Sequence, residues 1–229
     1  MIKRIGLRIL VGFCVFHAAA AWAGEVMQEP PTAPDPSAYY LFHMHGSWLE
    51  DHSVNEPNRR YGVYKYDDTL KALADQGLVV ISEKRRGRVN PRDYVEKLSS
   101  QVKTLIGAGV PASHITVSGF SKGGAMALQA GAALGNPDVK FVVLSGCGIG
   151  NFAKGYRQFL KRGAARMQGR FLSIYDSRDT DGGTCGEAFS KAGLSHAKEI
   201  VLEVGSGHGV FYQPLSEWID PLVAWAKSP

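Results

Sequence analysis

Short apolar runs at 39–44, 78–82, 115–118, 141–144, 171–175 and 200–204 alternate with helix-forming stretches, and this alternation restricts the chain more than any other feature. Runs this short and this apolar are buried on both faces, so they belong to a parallel sheet covered by helices on each side. Helical patterns fill the gaps at about 68–76, from Asn90-Pro91 onward, at 125–134, 152–167 and 215–227. Asn90 is a capping residue with proline at the first helical position, and Tyr94, Leu98, Val102 and Leu105 then share one face. Gly77 stops the helix before it. Repeated strand–helix–strand units with right-handed crossovers give a three-layer α/β fold with a mainly parallel six-stranded sheet. In such a sheet, chemistry sits in the loops beyond the carboxyl ends of the strands.

A chain of 229 residues, 45% hydrophobic and 21% charged, is large enough for one self-sufficient core and excludes disorder and multi-span membrane architectures. Its ends refine this picture. Lys3, Arg4 and Arg8 precede an apolar run from Ile9 to Ala21 that ends in Ala21-Trp22-Ala23 before Gly24. This is the pattern of a cleaved secretory signal over residues 1–23, too short for a comfortable span of about 20 apolar residues. Cys14 lies in mid-run behind Phe13 and does not suit a lipid attachment site. Cleavage removes three cations and no anion, so most of the formal charge of +5 leaves with the signal. A nucleic-acid partner loses its support, and no stable membrane span is left. Residues 24–37, with prolines at 30, 31, 34 and 36, read as an extended leader, and 38–229 as a single domain. The destination is periplasmic or secreted. In that oxidising setting Cys147 and Cys185 are candidates for a disulfide, with two buried free thiols as the alternative.

The strongest local signal is Gly119-Phe120-Ser121-Lys122-Gly123, which directly follows a strand and directly precedes a helix. Small residues flank the serine because a sharp strand-to-helix turn leaves no room beside it, and the turn lifts the hydroxyl above the sheet. The Lys122 N–H, at the helix start, is then half of an oxyanion hole. A serine needs a base and an orienting carboxylate. His208, in the Gly205–Gly209 loop after the last strand, is the base in the required order, whereas His52, His114 and His196 read as surface residues. For the acid, Asp176, Asp179 and Asp181 compete in the loop after the fifth run. Asp179 has the reach to meet a neighbouring loop; Asp176 lies nearly on the strand and suits a turn cap. His45-Gly46-Ser47-Trp48 follows the first run and supplies the second oxyanion donor through the Ser47 or Gly46 N–H. His43 and His45, two apart on a strand with no second ligand cluster, do not make a zinc site.

The order of His45-Gly46, the Gly-Phe-Ser121-Lys-Gly-Gly elbow, the Asp179 loop and the Gly-His208 loop resembles the α/β-hydrolase superfamily over essentially the whole chain after the signal. Gly123-Gly124-Ala125 makes it similar to the small, lidless carboxylesterase and acyl-thioesterase branch, although Lys122 replaces the glutamine or methionine more usual there. The resemblance implies a strand order 2-1-3-4-5-6 without the first two strands of the full family sheet. It implies a serine hydrolase acting on esters or thioesters through an acyl-enzyme, with catalytic Ser121, Asp179 and His208, oxyanion donors Ser47 and Lys122, and no metal or organic cofactor. It also implies a small-molecule or envelope-associated acyl substrate.

His45, Gly46, Trp48, Lys84 and Arg85 are candidates for touching it; Lys84-Arg85-Arg86 with Arg88 could hold an anionic group. Lys154, Arg157, Lys161, Arg162, Arg166 and Arg170 form a second basic cluster with no interspersed acid, ordinarily a solvated helix face. A Cys147–Cys185 bond would brace the Asp179 loop. Two rivals are a non-catalytic protein that holds an anionic ligand in the same cleft and a flavodoxin-like binder. The second gives no reason for the spacing of Ser121, Asp179 and His208.

Overall fold

The computed structural model describes residues 24–229, so the signal segment 1–23, with Cys14, lies outside the described residues. Seven strands build the central sheet: β1 Val26–Met27, β2 Tyr40–Met44, β3 Val79–Ile81, β4 Ile115–Phe120, β5 Lys140–Leu144, β6 Arg170–Asp176 and β7 Ala197–Leu202. Their order is β1-β3-β2-β4-β5-β6-β7, and every pairing is parallel. The six expected strands take the expected order. The leader corrects the count, because Val26 and Met27 add an edge strand beside Val80 and Ile81. Both residues precede the first proline, so nothing prevents them from joining the ladder. The Val80 N–H donates to the Glu25 carbonyl (2.9 Å) and the Ser82 N–H to the Met27 carbonyl (2.8 Å).

Among the described residues seven helices accompany the strands: α1 Trp48–Asp51, α2 Tyr66–Ala74, α3 Pro91–Gly107, α4 Lys122–Leu134, α5 Ala153–Arg162, α6 Gly186–Ala192 and α7 Ser216–Ala226. The long pattern at 152–167 resolves into α5 and a short 3-10 turn, Ala164–Arg166, broken at Gly163. Asn90 caps α3 by accepting the Arg92 N–H at 3.0 Å.

Period-two alternation in the strands divides the core. Tyr40, Phe42, Met44, Val117, Phe141 and Phe171 face α3, α4 and α6, where Val102, Met126 and Phe189 meet them. Leu41, Val80, Val142, Leu172 and Ile174 face α2 and α7, against Leu73, Trp218 and Leu222. With both faces covered, the strand ends are the accessible part of the sheet, and the loops above β2, β4, β5, β6 and β7 converge there. Two of these loops are tied together. Cys147 and Cys185 form a disulfide with Cα atoms 5.4 Å apart, and beside it Cys147–Gly148 pairs antiparallel with Gly182–Gly183.

Candidate active site

β4 ends at Phe120 and α4 begins at Lys122, leaving Ser121 alone at the turn with φ 55° and ψ −113°. A non-glycine residue held there stores about 1–3 kcal/mol of strain, sustained by its surroundings. The Ser121 N–H donates to the Leu144 carbonyl of the adjacent strand at 2.8 Å. The flanking glycines are required by contact rather than by backbone angle. A Cβ on Gly119 would strike the Gly123 carbonyl, and one on Gly123 would strike the Met44 carbonyl. Helix α4 can therefore seat against β2 and β4 only with glycine at both positions.

His208 lies in the 3-10 turn Gly207–Tyr212 that follows β7, packed 4.8 Å from the Phe120 ring. Its Nδ1 is 2.8 Å from Asp179 Oδ2, while Asp179 Oδ1 accepts the Asp181 and Gly182 N–H groups at 2.8 and 3.0 Å. Burial pushes the Asp179 carboxyl up, but the hydrogen bond and charge of His208 outweigh it and hold the group below the ordinary carboxylate value. The ionised acid keeps the Nδ1 proton in this bond, which leaves the Nε2 lone pair free. The other two aspartates have different partners. Asp176 accepts N–H groups of Arg178, Gly205 and Gly207 at 2.9, 2.9 and 3.1 Å, so it ties the loop after β6 to the loop that carries His208. Asp181 accepts the Tyr61 hydroxyl at 2.7 Å and pairs with Arg60 at 3.4 Å.

The loop after β2 departs from the expected division of labour. His45, expected to touch substrate, is 0% exposed. Its Nε2 accepts the Arg85 N–H at 2.9 Å and its Nδ1 donates to the Gly46 carbonyl at 2.7 Å. Burial, then the Arg85 charge, pushes its pKa down to about 2, so it braces the loop as a neutral ring. Arg85 is likewise buried. It donates to the His45 carbonyl and, through Nε, to Glu50 at 3.2 Å, and does not reach a ligand surface. Gly46 packs against Phe120, where an added Cβ would come within 3.1 Å of the ring. Trp48 stacks on His52 at 3.4 Å. Lys84 is half-buried, its pKa lowered by burial and by Arg86. Neither Trp48 nor Lys84 lines the cavity described next. His43 is buried with Nδ1 2.9 Å from Ser118 Oγ, and among the described residues no cluster of His, Cys, Asp or Glu could hold a metal ion.

Ser121 and His208 open onto one cavity of about 360 Å³. Ser47 and Lys122 lie on its wall, and Leu128, Phe152, Tyr156 and Phe159 make much of the remainder apolar. As the first residue of α4, Lys122 has an N–H with no intrahelical acceptor.

Comparison with known proteins agrees with this fold. Residues 82–152, which contain the elbow, match the phospholipase/carboxylesterase family. A protein of Klebsiella pneumoniae subsp. pneumoniae assigned as a dienelactone hydrolase superposes with a TM-score of 0.58 at 16% identity, covering 86% of this chain and 90% of the other. A fungal esterase from Rhizomucor miehei gives 0.58 at 16%, covering 87% and 76%. SOBER1 of Arabidopsis thaliana gives 0.52 at 10%, covering 83% and 98%. No curated protein sequence matches significantly.

The fold is that of the α/β-hydrolases.

Within this fold, the structure adds residues that the sequence pattern does not single out. The Lys122 side chain, unusual in such an elbow, is held by partners outside it. Its Nζ donates to Glu50 Oε2 at 2.6 Å and to the Val89 carbonyl at 2.9 Å. Glu50 is 3% exposed and takes Arg85 on its other oxygen, so one buried carboxylate links the elbow, the loop after β2 and the segment after β3. An isolated glutamate in a polar stretch carries no sequence signal of this role. Phe152, Tyr156 and Phe159 are legible in the sequence only as positions on an amphipathic helix, with nothing to say that α5 walls the cavity.

Proposed function

We propose that the protein is an exported serine hydrolase that cleaves carboxylic esters or thioesters through a Ser121–His208–Asp179 triad. The observation that carries this reading is a strained serine and a carboxylate-paired histidine that open onto one cavity, on a fold whose elbow segment matches a phospholipase/carboxylesterase family. Ser121 Oγ attacks the acyl carbonyl as His208 Nε2 takes its proton, and Asp179 holds the imidazole tautomer and stabilises the imidazolium. The Ser47 and Lys122 N–H groups stabilise the oxyanion. His208 then protonates the leaving group, and water, activated by the same ring, hydrolyses the acyl-enzyme. The apolar wall at Leu128, Phe152, Tyr156 and Phe159 suits an acyl chain.

Export is supported by the signal pattern at 1–23 and by the Cys147–Cys185 bond, which persists in oxidising compartments. Among the described residues no helix is long and apolar enough to cross a membrane. The test uses nitrophenyl esters, matching thioesters and a fluorophosphonate probe on wild type and Ser121→Ala. Wild type should turn over and label, and the variant should do neither; equal labelling of the two would overturn the assignment.

A further inference from the structure

We propose that α5 and the turn before it form a docking surface for an anionic lipid interface, so that the cavity opens at the membrane surface. The helix has three sides. Leu160 enters the core, Tyr156 and Phe159 line the cavity, and Lys154, Arg157 and Lys161 recur three and four apart on the solvent side. Arg162 and Arg166 extend this exposed basic surface, and none of the five makes an ion pair among the described residues.

Carboxylates on the elements packed nearby are engaged elsewhere. Glu187 of α6 lies 3.7 Å from Lys191, Asp181 is held by Arg60 and Tyr61, and Glu199 accepts from Thr184 and the Cys185 N–H. The cations are therefore free to meet an external negative charge.

Positive charge alone would fit any polyanion, and it is the apolar residues beside it that favour lipid. Phe152, immediately before α5, is 61% exposed, the highest value among the exposed large hydrophobics of the described residues, and Ile149 is 37% exposed. Phe152 also belongs to the cavity wall. The short ladder beside the disulfide holds this turn in place, since the Ile149 N–H donates to the Asp181 carbonyl at 3.0 Å. A lipid surface satisfies both halves at once: headgroup phosphates meet the cations while Phe152 and Ile149 enter the acyl boundary. An acyl chain leaving that boundary would meet the apolar wall without crossing water.

This docking is independent of the hydrolase reading and can be scored without turnover. The intact exported chain would be sedimented with phosphatidylcholine vesicles, with and without phosphatidylglycerol, at low and high salt. Binding is expected only to the anionic vesicles and should weaken with salt. The triple variant Lys154→Gln, Arg157→Gln, Lys161→Gln should lose about fivefold per charge, about a hundredfold together, with an unchanged melting temperature and unchanged turnover of a soluble ester. Phe152→Ser should lose about tenfold or more of the remaining affinity for vesicles while its binding to heparin, a soluble polyanion, stays constant. Equal binding to both vesicle types, wild-type binding by the triple variant, or vesicle binding unaffected by Phe152→Ser would each overturn the proposal, the last in favour of a soluble polyanion.

Discussion

Replacing Glu50 with glutamine tests whether the buried ion network holds the catalytic end together. Its carboxylate is 3% exposed and shared between Arg85 Nε at 3.2 Å and Lys122 Nζ at 2.6 Å. Glutamine preserves shape and one acceptor but removes the charge, leaving the Arg85 guanidinium, whose side chain is wholly buried, without a counterion. Breaking a buried pair from one side is destabilising by about 3–5 kcal/mol. Lys122 is 22% exposed and can recover water, so its lost partner adds less than about 1 kcal/mol. At roughly 2–4 °C per kcal/mol for a domain of this size, the melting temperature should fall by about 6–20 °C. Lys122→Met is the control, because it leaves the Glu50–Arg85 pair intact and should be destabilising by about 1 kcal/mol. Calorimetry and urea titration at neutral pH would read both variants. A Glu50→Gln midpoint matching wild type, or a Lys122→Met loss as large as that of Glu50→Gln, would refute the network's role.

Three further outcomes follow from the geometry. His43 and His45 are held neutral by burial and by Arg85, with pKa values pushed down to about 4 and about 2, whereas the unfolded chain protonates them below about 6.5. Stability is therefore full above that pH and falls by about 1.4 kcal/mol per unit per histidine as pH drops below it; Asp179, whose pKa is lowered, adds its loss only below the ordinary carboxylate value near 3.8. Urea titrations should show proton uptake on unfolding rising from under one near neutral pH to about two at pH 5, and a flat profile would contradict the buried neutral rings. Reduction of the Cys147–Cys185 bond, which spans 38 residues, should lower stability by roughly 4 kcal/mol in the chain-entropy model, and melting with and without reductant checks it. Asp179→Asn should lower kcat by about 10³–10⁴-fold with little change in KM. Asp176→Asn should lower the melting temperature instead, since it disturbs acceptors for three backbone N–H groups; the reverse pattern in steady-state kinetics would exchange their roles.

Elements whose signal is local were legible in the sequence. The strand runs show because both faces of a parallel sheet are apolar, the α3 start because Asn90 and Pro91 act on adjacent backbone, and the elbow because steric contact forces glycine at positions 119 and 123. Strand β1 was not, because two residues ahead of a proline-rich stretch have no periodicity, and their pairing depends on an edge that β3 supplies.

The site divides along the same line. Chain order and loop position narrowed the acid to three aspartates. Among them, Asp179 meets His208 while Asp176 binds the backbone of the same loop, a distinction set by a few ångströms of loop path. His45 and Arg85 looked equally available for substrate because residue type does not report burial. Packing put both inside, Arg85 against Glu50 and His45 against Arg85, while the basic residues of α5 stayed exposed. The sequence by itself determined six of the seven strands, the helices between them and the strained serine, since these follow from short-range sterics and from which faces must leave water. The tertiary structure alone decided which charges are buried partners and which face outward, because desolvation and pairing belong to the neighbours that folding brings together, not to the residue.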